Sequence, residues 1–132
     1  MGRALEQWGA KGGKHGPKVY LAYKYLDVSQ GQTIRQWEGS NGTKLMELAA
    51  ELSKKNIGQA LHDGDIVKYT DPSKFDLNYM PKPSKWKYPK SLSGMDVQWC
   101  KICLGSRLRV IGFLEDNIYQ IVFLDNAHKF YP

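Results

Sequence analysis

VQWCKICLGSRLRVIGFLEDNIYQIVFL, residues 97–124, is the part of the chain from which the architecture can be read. Val97 to Leu104 and Leu108 to Leu114 are rich in β-branched, aromatic and leucine residues, with Gly105-Ser106 between them as a two-residue turn. A third run, Ile118 to Leu124, follows Asp116-Asn117. Asp and Asn tolerate the left-handed backbone of a tight hairpin, so this junction also reads as a turn. Together the three runs predict an antiparallel meander. The middle strand has apolar residues on both faces, Leu108 and Val110 against Ile111 and Phe113, so each face must be covered or one must hold a ligand. If both turns contain two residues, Lys101 and Arg109 fall on opposite faces of the sheet; one bulge reverses that.

Towards the N-terminus, Val19 to Leu26 reads as a strand. Leu45, Leu48, Ala49 and Leu52 then recur at helical spacing, with Thr43 or Asn41 as cap and Glu47 and Glu51 on the exposed side. A second short helix begins at Asn56, with Gln59 completing a capping box, and stops at Gly64. Between Asp65 and Gly94 the chain shows a brief strand-like run at Ile66 to Tyr69, and four prolines exclude a long helix or central strand. The expected fold class is α+β: a small twisted antiparallel sheet, built from the N-terminal strand and the C-terminal meander, with one or two helices packed on one face. Residues 1–17, rich in glycine and basic residues, are expected to form a flexible arm, and residues 18–132 a single domain.

Nineteen Lys and Arg against thirteen Asp and Glu give a net charge of +6, which suits an anionic partner or serves solubility alone. No run approaches the roughly 20 apolar residues of a membrane span, and the N-terminus lacks a signal-peptide core, so a cytoplasmic protein without membrane contact is expected. Cys100 and Cys103 form a C-x-x-C, but a spacing of three on a strand points the sulfurs to opposite faces. They read as two buried thiols. No metal-ligand spacing or phosphate-binding glycine loop occurs, so no cofactor is expected.

Two segments carry candidate chemistry. Lys85, Trp86, Lys87 and Tyr88 interleave charge with aromatic surface, which suits single-stranded nucleic acid, since ammonium groups meet phosphates while rings stack on bases. The same rings can instead pin the loop to the core. The terminal His128, Lys129, Phe130 and Tyr131 bring an acid/base group and a cation beside aromatics. The competing reading is a strand end docked by Phe130, with His128 and Lys129 solvated. Arg109 could likewise neutralise Asp125 in the neighbouring strand.

In order, Leu92-Ser93-Gly94 ahead of the meander, Trp99 in its first strand, Arg107 to Val110 opening the second, Ile118 to Leu124 as the third, and His128 with Tyr131 at the end resemble the RelE-like toxins. The closest branch is the YoeB type, small ribonucleases of bacterial toxin-antitoxin systems, some on mobile elements. About 40 residues carry the pattern; the first half agrees only in element order.

The resemblance implies a metal-independent endoribonuclease, an mRNA interferase in which the ribose 2′-hydroxyl attacks the adjacent phosphate, with RNA, free or on the ribosome, as substrate and a small acidic antitoxin as partner. It implies Arg109 as the group stabilising phosphorane charge, His128 as the proton-transfer group, Tyr131 as a base-stacking or phosphate-orienting residue and Lys101 as an assisting cation. Lys129, Arg107, Lys85, Trp86, Lys87 and Tyr88 would bind substrate. The chain departs from that branch in having no Glu between Glu51 and Glu115 to serve as general base, Asp76 being the nearest substitute, and in separating His128 from Tyr131 by two residues. The fold also hosts gyrase inhibitors that cut no RNA, so the alternative is a non-catalytic binding module directed at nucleic acid, a topoisomerase, or a phage or host factor.

Overall fold

The computed structural model describes residues 16–75, 80–105 and 107–131. Five strands form one sheet: β1 (Tyr20–Ala22), β2 (Val67–Lys68), β3 (Cys100–Leu104), β4 (Leu108–Glu115) and β5 (Ile118–Asp125), in the order β1-β5-β4-β3-β2. Two helices, α1 (Ser40–Leu52) and α2 (Ile57–His62), lie between β1 and β2. The fold is α+β, with the β3-β4-β5 meander at its centre. β1 runs parallel to β5 and β2 antiparallel to β3, so the complete sheet is mixed.

Several boundaries differ from the sequence reading for local reasons. β1 stops at Ala22 because the chain turns there, the Leu26 amide bonding back to Tyr23 O. α1 is capped by neither Thr43 nor Asn41; it starts from Gly39, whose φ of 81° lies in the left-handed region that glycine adopts without strain. α2 has the expected capping box, Asn56 and Gln59 exchanging side-chain and backbone bonds. β3 begins only at Cys100.

The first hairpin is the consequential difference. Leu104 pairs with Leu108, so Arg107 joins the turn and three residues separate the paired ends. Cys103 then faces Arg109 and Lys101 faces Ile111, which puts Lys101 and Arg109 on the same face of the sheet. The second hairpin is a two-residue turn as expected, with Glu115 opposite Ile118 and Asp116 at φ 57°.

Each face of the sheet is covered. On one, Leu45 and Leu52 of α1, Ala60 of α2 and the preceding Trp37 pack on Cys100, Ile102, Val110, Ile121 and Leu124. On the other, no α-helix lies among the described residues; the long segment before β3, with a short 3-10 helix at Lys90–Leu92, and the C-terminal tail supply Met80, Leu92, Trp99 and Phe130 against Ile111, Phe113 and Phe123. A bulge links the two faces: Ile111 pairs with Phe123 but Gly112 with Ile121, so Val122 is the extra residue. Ile121 and Leu124 therefore both serve the helical core, while Val122 and Phe123 both serve the aromatic one. Among the described residues no helix is long and apolar enough to cross a membrane. The proposed arm falls on residues 1–17, of which 1–15 lie outside the described residues.

Candidate functional site

The chain beyond β5 is folded back by a single carboxylate. Asp125, fully buried, accepts hydrogen bonds from the amides of Ala127 (3.3 Å) and Lys129 (2.9 Å) through Oδ1 and of Phe130 (2.8 Å) through Oδ2. Phe130, also fully buried, inserts among Trp99, Phe123, Tyr69 and Trp86, with ring centroids 5.1 to 6.3 Å away. Its docking leaves His128 exposed, at φ 59°. Tyr131 then stacks on Tyr69 at 5.3 Å and 3°, with Phe75 edge-on to both rings.

This tail forms one wall of a cavity of about 460 Å³. The sheet edge supplies Val67, Lys68, Tyr69 and Lys101; the following turn supplies Thr70, Asp71, Lys74 and Phe75; the tail supplies His128 and Tyr131. Lys74 and Lys101 therefore bring two ammonium groups against one aspartate, while Lys68 borders the cavity with its side chain turned by its register opposite Cys100 towards the helical face. Lys101 Nζ sits 5.4 Å from the Tyr69 ring centroid, a cation-π contact. Asp71 Oδ1 accepts from both the amide and the hydroxyl of Ser73, which holds its carboxyl below the usual range and makes it a weak base. Burial pushes the Tyr69 phenol far above its ordinary range, so it acts as a neutral ring. An open concavity with flat rings, ammonium groups and an imidazole suits a ligand that combines phosphate with a planar base.

Of the residues expected to act, His128, Tyr131 and Lys101 meet at this cavity. Arg109 does not line it. It sits on the same sheet face, one strand over from β3, directly opposite Asp125 in register, and its Nη1 donates to Gly105 O (3.2 Å) and Leu108 O (3.0 Å). Arg107 and Lys129 are exposed and outside the lining.

The loop of Lys85, Trp86, Lys87 and Tyr88 resolves towards the core. The Trp86 ring packs on Phe123 at 5.0 Å, and Tyr88 packs edge-on to Trp99 while its hydroxyl donates to Met95 O (2.6 Å). The lysines point outward, but the rings are committed. Asp76 lies outside the described residues. Cys100 is buried as expected whereas Cys103 is exposed, because β3 is second from the sheet edge and only one of its faces is deeply covered at that end.

Sequence reasoning missed Lys68, Tyr69, Asp71, Lys74 and Phe75. Lys68-Tyr69 and Lys74-Phe75 repeat the basic-aromatic pattern of Lys85 to Tyr88, and that signal was there to be used. Among the described residues no group of His, Cys, Asp and Glu is placed to hold a metal ion. No protein-family model, curated protein or solved structure matches this chain.

Proposed function

We propose that the protein is an endoribonuclease that binds single-stranded RNA in the Lys68–Lys101–His128–Tyr131 cavity and cleaves it through the substrate's own 2′-hydroxyl. The observation that carries this reading is the convergence of His128, Lys101 and Tyr131, from two separate parts of the chain, on one open basic concavity. In the step proposed, the 2′-oxygen forms a bond to the adjacent phosphorus as the P–O5′ bond breaks, leaving a 2′,3′-cyclic phosphate and a 5′-hydroxyl. Neutral His128 takes the proton of the 2′-hydroxyl, and the Lys101 ammonium gives one to the departing 5′-oxygen. Lys74 offsets the charge that gathers on the phosphate. Tyr131, backed by Tyr69, offers a stacking face to a base. The RelE-like resemblance adds the biological setting: a growth-arresting toxin acting on mRNA, restrained by a small acidic antitoxin.

The test is incubation of single-stranded RNA with the protein in excess EDTA, with and without ribosomes, alongside a 2′-O-methyl version of the same RNA. Cyclic-phosphate ends from the first substrate alone, and at least about 10²-fold slower cleavage by His128→Ala, are expected. Equal cleavage of both substrates, or none of either, overturns the nuclease. A second reading, a binding module without catalysis, is favoured by Arg109, whose guanidinium is tied to the β3-β4 turn rather than presented at the cavity. It predicts RNA binding with neither substrate cut.

A further inference from the structure

We infer that Asp125 is the positioning residue for His128: its buried carboxylate sets the backbone that presents the imidazole to the cavity. The inference rests on the RNA-cleaving reading of that cavity for its kinetic consequence, but its geometric content stands apart. His128 is held from both sides. The amides of Ala127 before it and Lys129 after it converge on one carboxylate oxygen, and Phe130 bonds to the other. Asn126 is anchored as well, donating 2.6 Å to Gln32 Oε1, an oxygen that also accepts from the Trp37 indole at 3.3 Å. Four of the five amides from 126 to 130 thus end on a side chain fixed in the body of the domain.

Between those anchors His128 adopts φ 59°, a backbone conformation that a non-glycine residue keeps only when its surroundings impose it. A carboxyl group is suited to impose it, since its two oxygens accept from three N–H groups at once and a buried oxygen has no water to turn to. Asp125 is wholly buried and does not itself line the cavity. Its influence on the site is therefore indirect, through the tail backbone that carries His128 and Tyr131. It also faces Arg109 across the β4-β5 ladder, so the cation that the resemblance assigned to the phosphate lies in register with this anchor instead.

The experiment compares wild-type protein with Asp125→Asn, which keeps shape but replaces one acceptor oxygen by a donor. Two readouts are needed: the ring resonances of His128, and kcat and KM for cleavage of a short single-stranded RNA. Near-ultraviolet dichroism of the Trp99-Phe123-Phe130 cluster reports folding. A folded variant whose His128 signals move to free-histidine positions, with kcat down at least tenfold and KM changed less than threefold, supports the inference. A folded variant with unaltered His128 signals overturns it. If Asp125→Asn does not fold, amide exchange in the wild type decides: protected Ala127, Lys129 and Phe130 amides support the anchor, and free exchange at all three refutes it. Absence of cleavage by wild-type protein would count against the nuclease and leave the resonance result to judge Asp125.

Discussion

Phe130→Ala tests how the C-terminal wall of the cavity is held. The Phe130 ring is completely buried and meets Trp99, Phe123, Tyr69 and Trp86, so truncation removes a full aromatic burial and opens a void among rings that cannot easily close it. Such substitutions cost about 3–5 kcal/mol. Against a total stability of roughly 5–15 kcal/mol for a domain, that is a large share. With a urea dependence of about 2 kcal/mol per molar, a loss of about 4 kcal/mol lowers the unfolding midpoint by about 2 M. Part of that loss is avoided if the tail simply lets go while the sheet survives. Where the tail lets go, the Tyr69-Tyr131 stack and the His128 wall are lost with it, because Phe130 is the residue between His128 and Tyr131 that enters the core. The assay is urea unfolding followed by tryptophan fluorescence, with RNA binding measured in parallel below the transition. A midpoint within about 0.5 M of wild type together with unchanged RNA binding would refute the docking argument.

Other consequences can be checked separately. Burial pushes the Cys100 thiol up to about 11, while Cys103 is exposed, so alkylation at neutral pH should label Cys103 and reach Cys100 only on unfolding, as peptide mass analysis would show. Gly112→Ala should fail to fold or lose more than roughly 3 kcal/mol in the same urea assay, because a Cβ there runs into the backbone carbonyl of Gln120 beside the bulge. Hydrogen bonding from Lys55 holds the Asp63 carboxyl below its ordinary range. Its folded value is thus the lower one, so the pair's contribution is complete above the unfolded value near 3.9 and is lost as pH falls through the folded value. Lys55→Met should flatten that acid limb in a pH series of thermal melts.

The meander was legible because its turns and strands each carry their own local signal: Asp116 reaches positive φ as Asp can, and Ile118 to Leu124 has nowhere to go but a core. Asn56 and Gln59 announced α2 for the same reason. The turn at Gly105 was legible in place but not in length, and length decides face; one added residue, Arg107, moved Arg109 to the side of Lys101. The site was half legible. Lys101, His128 and Tyr131 come from the meander and tail, where strand order fixes neighbours. Lys68 to Phe75 reaches the same cavity through β2, a two-residue strand whose pairing with β3 is a long-range event that no local pattern encodes. The role of Asp125 was hidden because a strand-end carboxylate beside an arginine looks like an ion-pair partner, whereas here it caps the tail.

Whether RNA occupies the cavity between β2 and the tail is read from amide and side-chain shifts as a short single-stranded RNA is titrated in. Changes centred on Lys68, Tyr69, Lys74, Lys101, His128 and Tyr131 are expected, with Lys101→Ala lowering the salt dependence of binding by about 0.7 in logarithmic slope for a lost phosphate contact. Shifts centred on Lys85 to Lys90, or no saturable shifts at all, would contradict it.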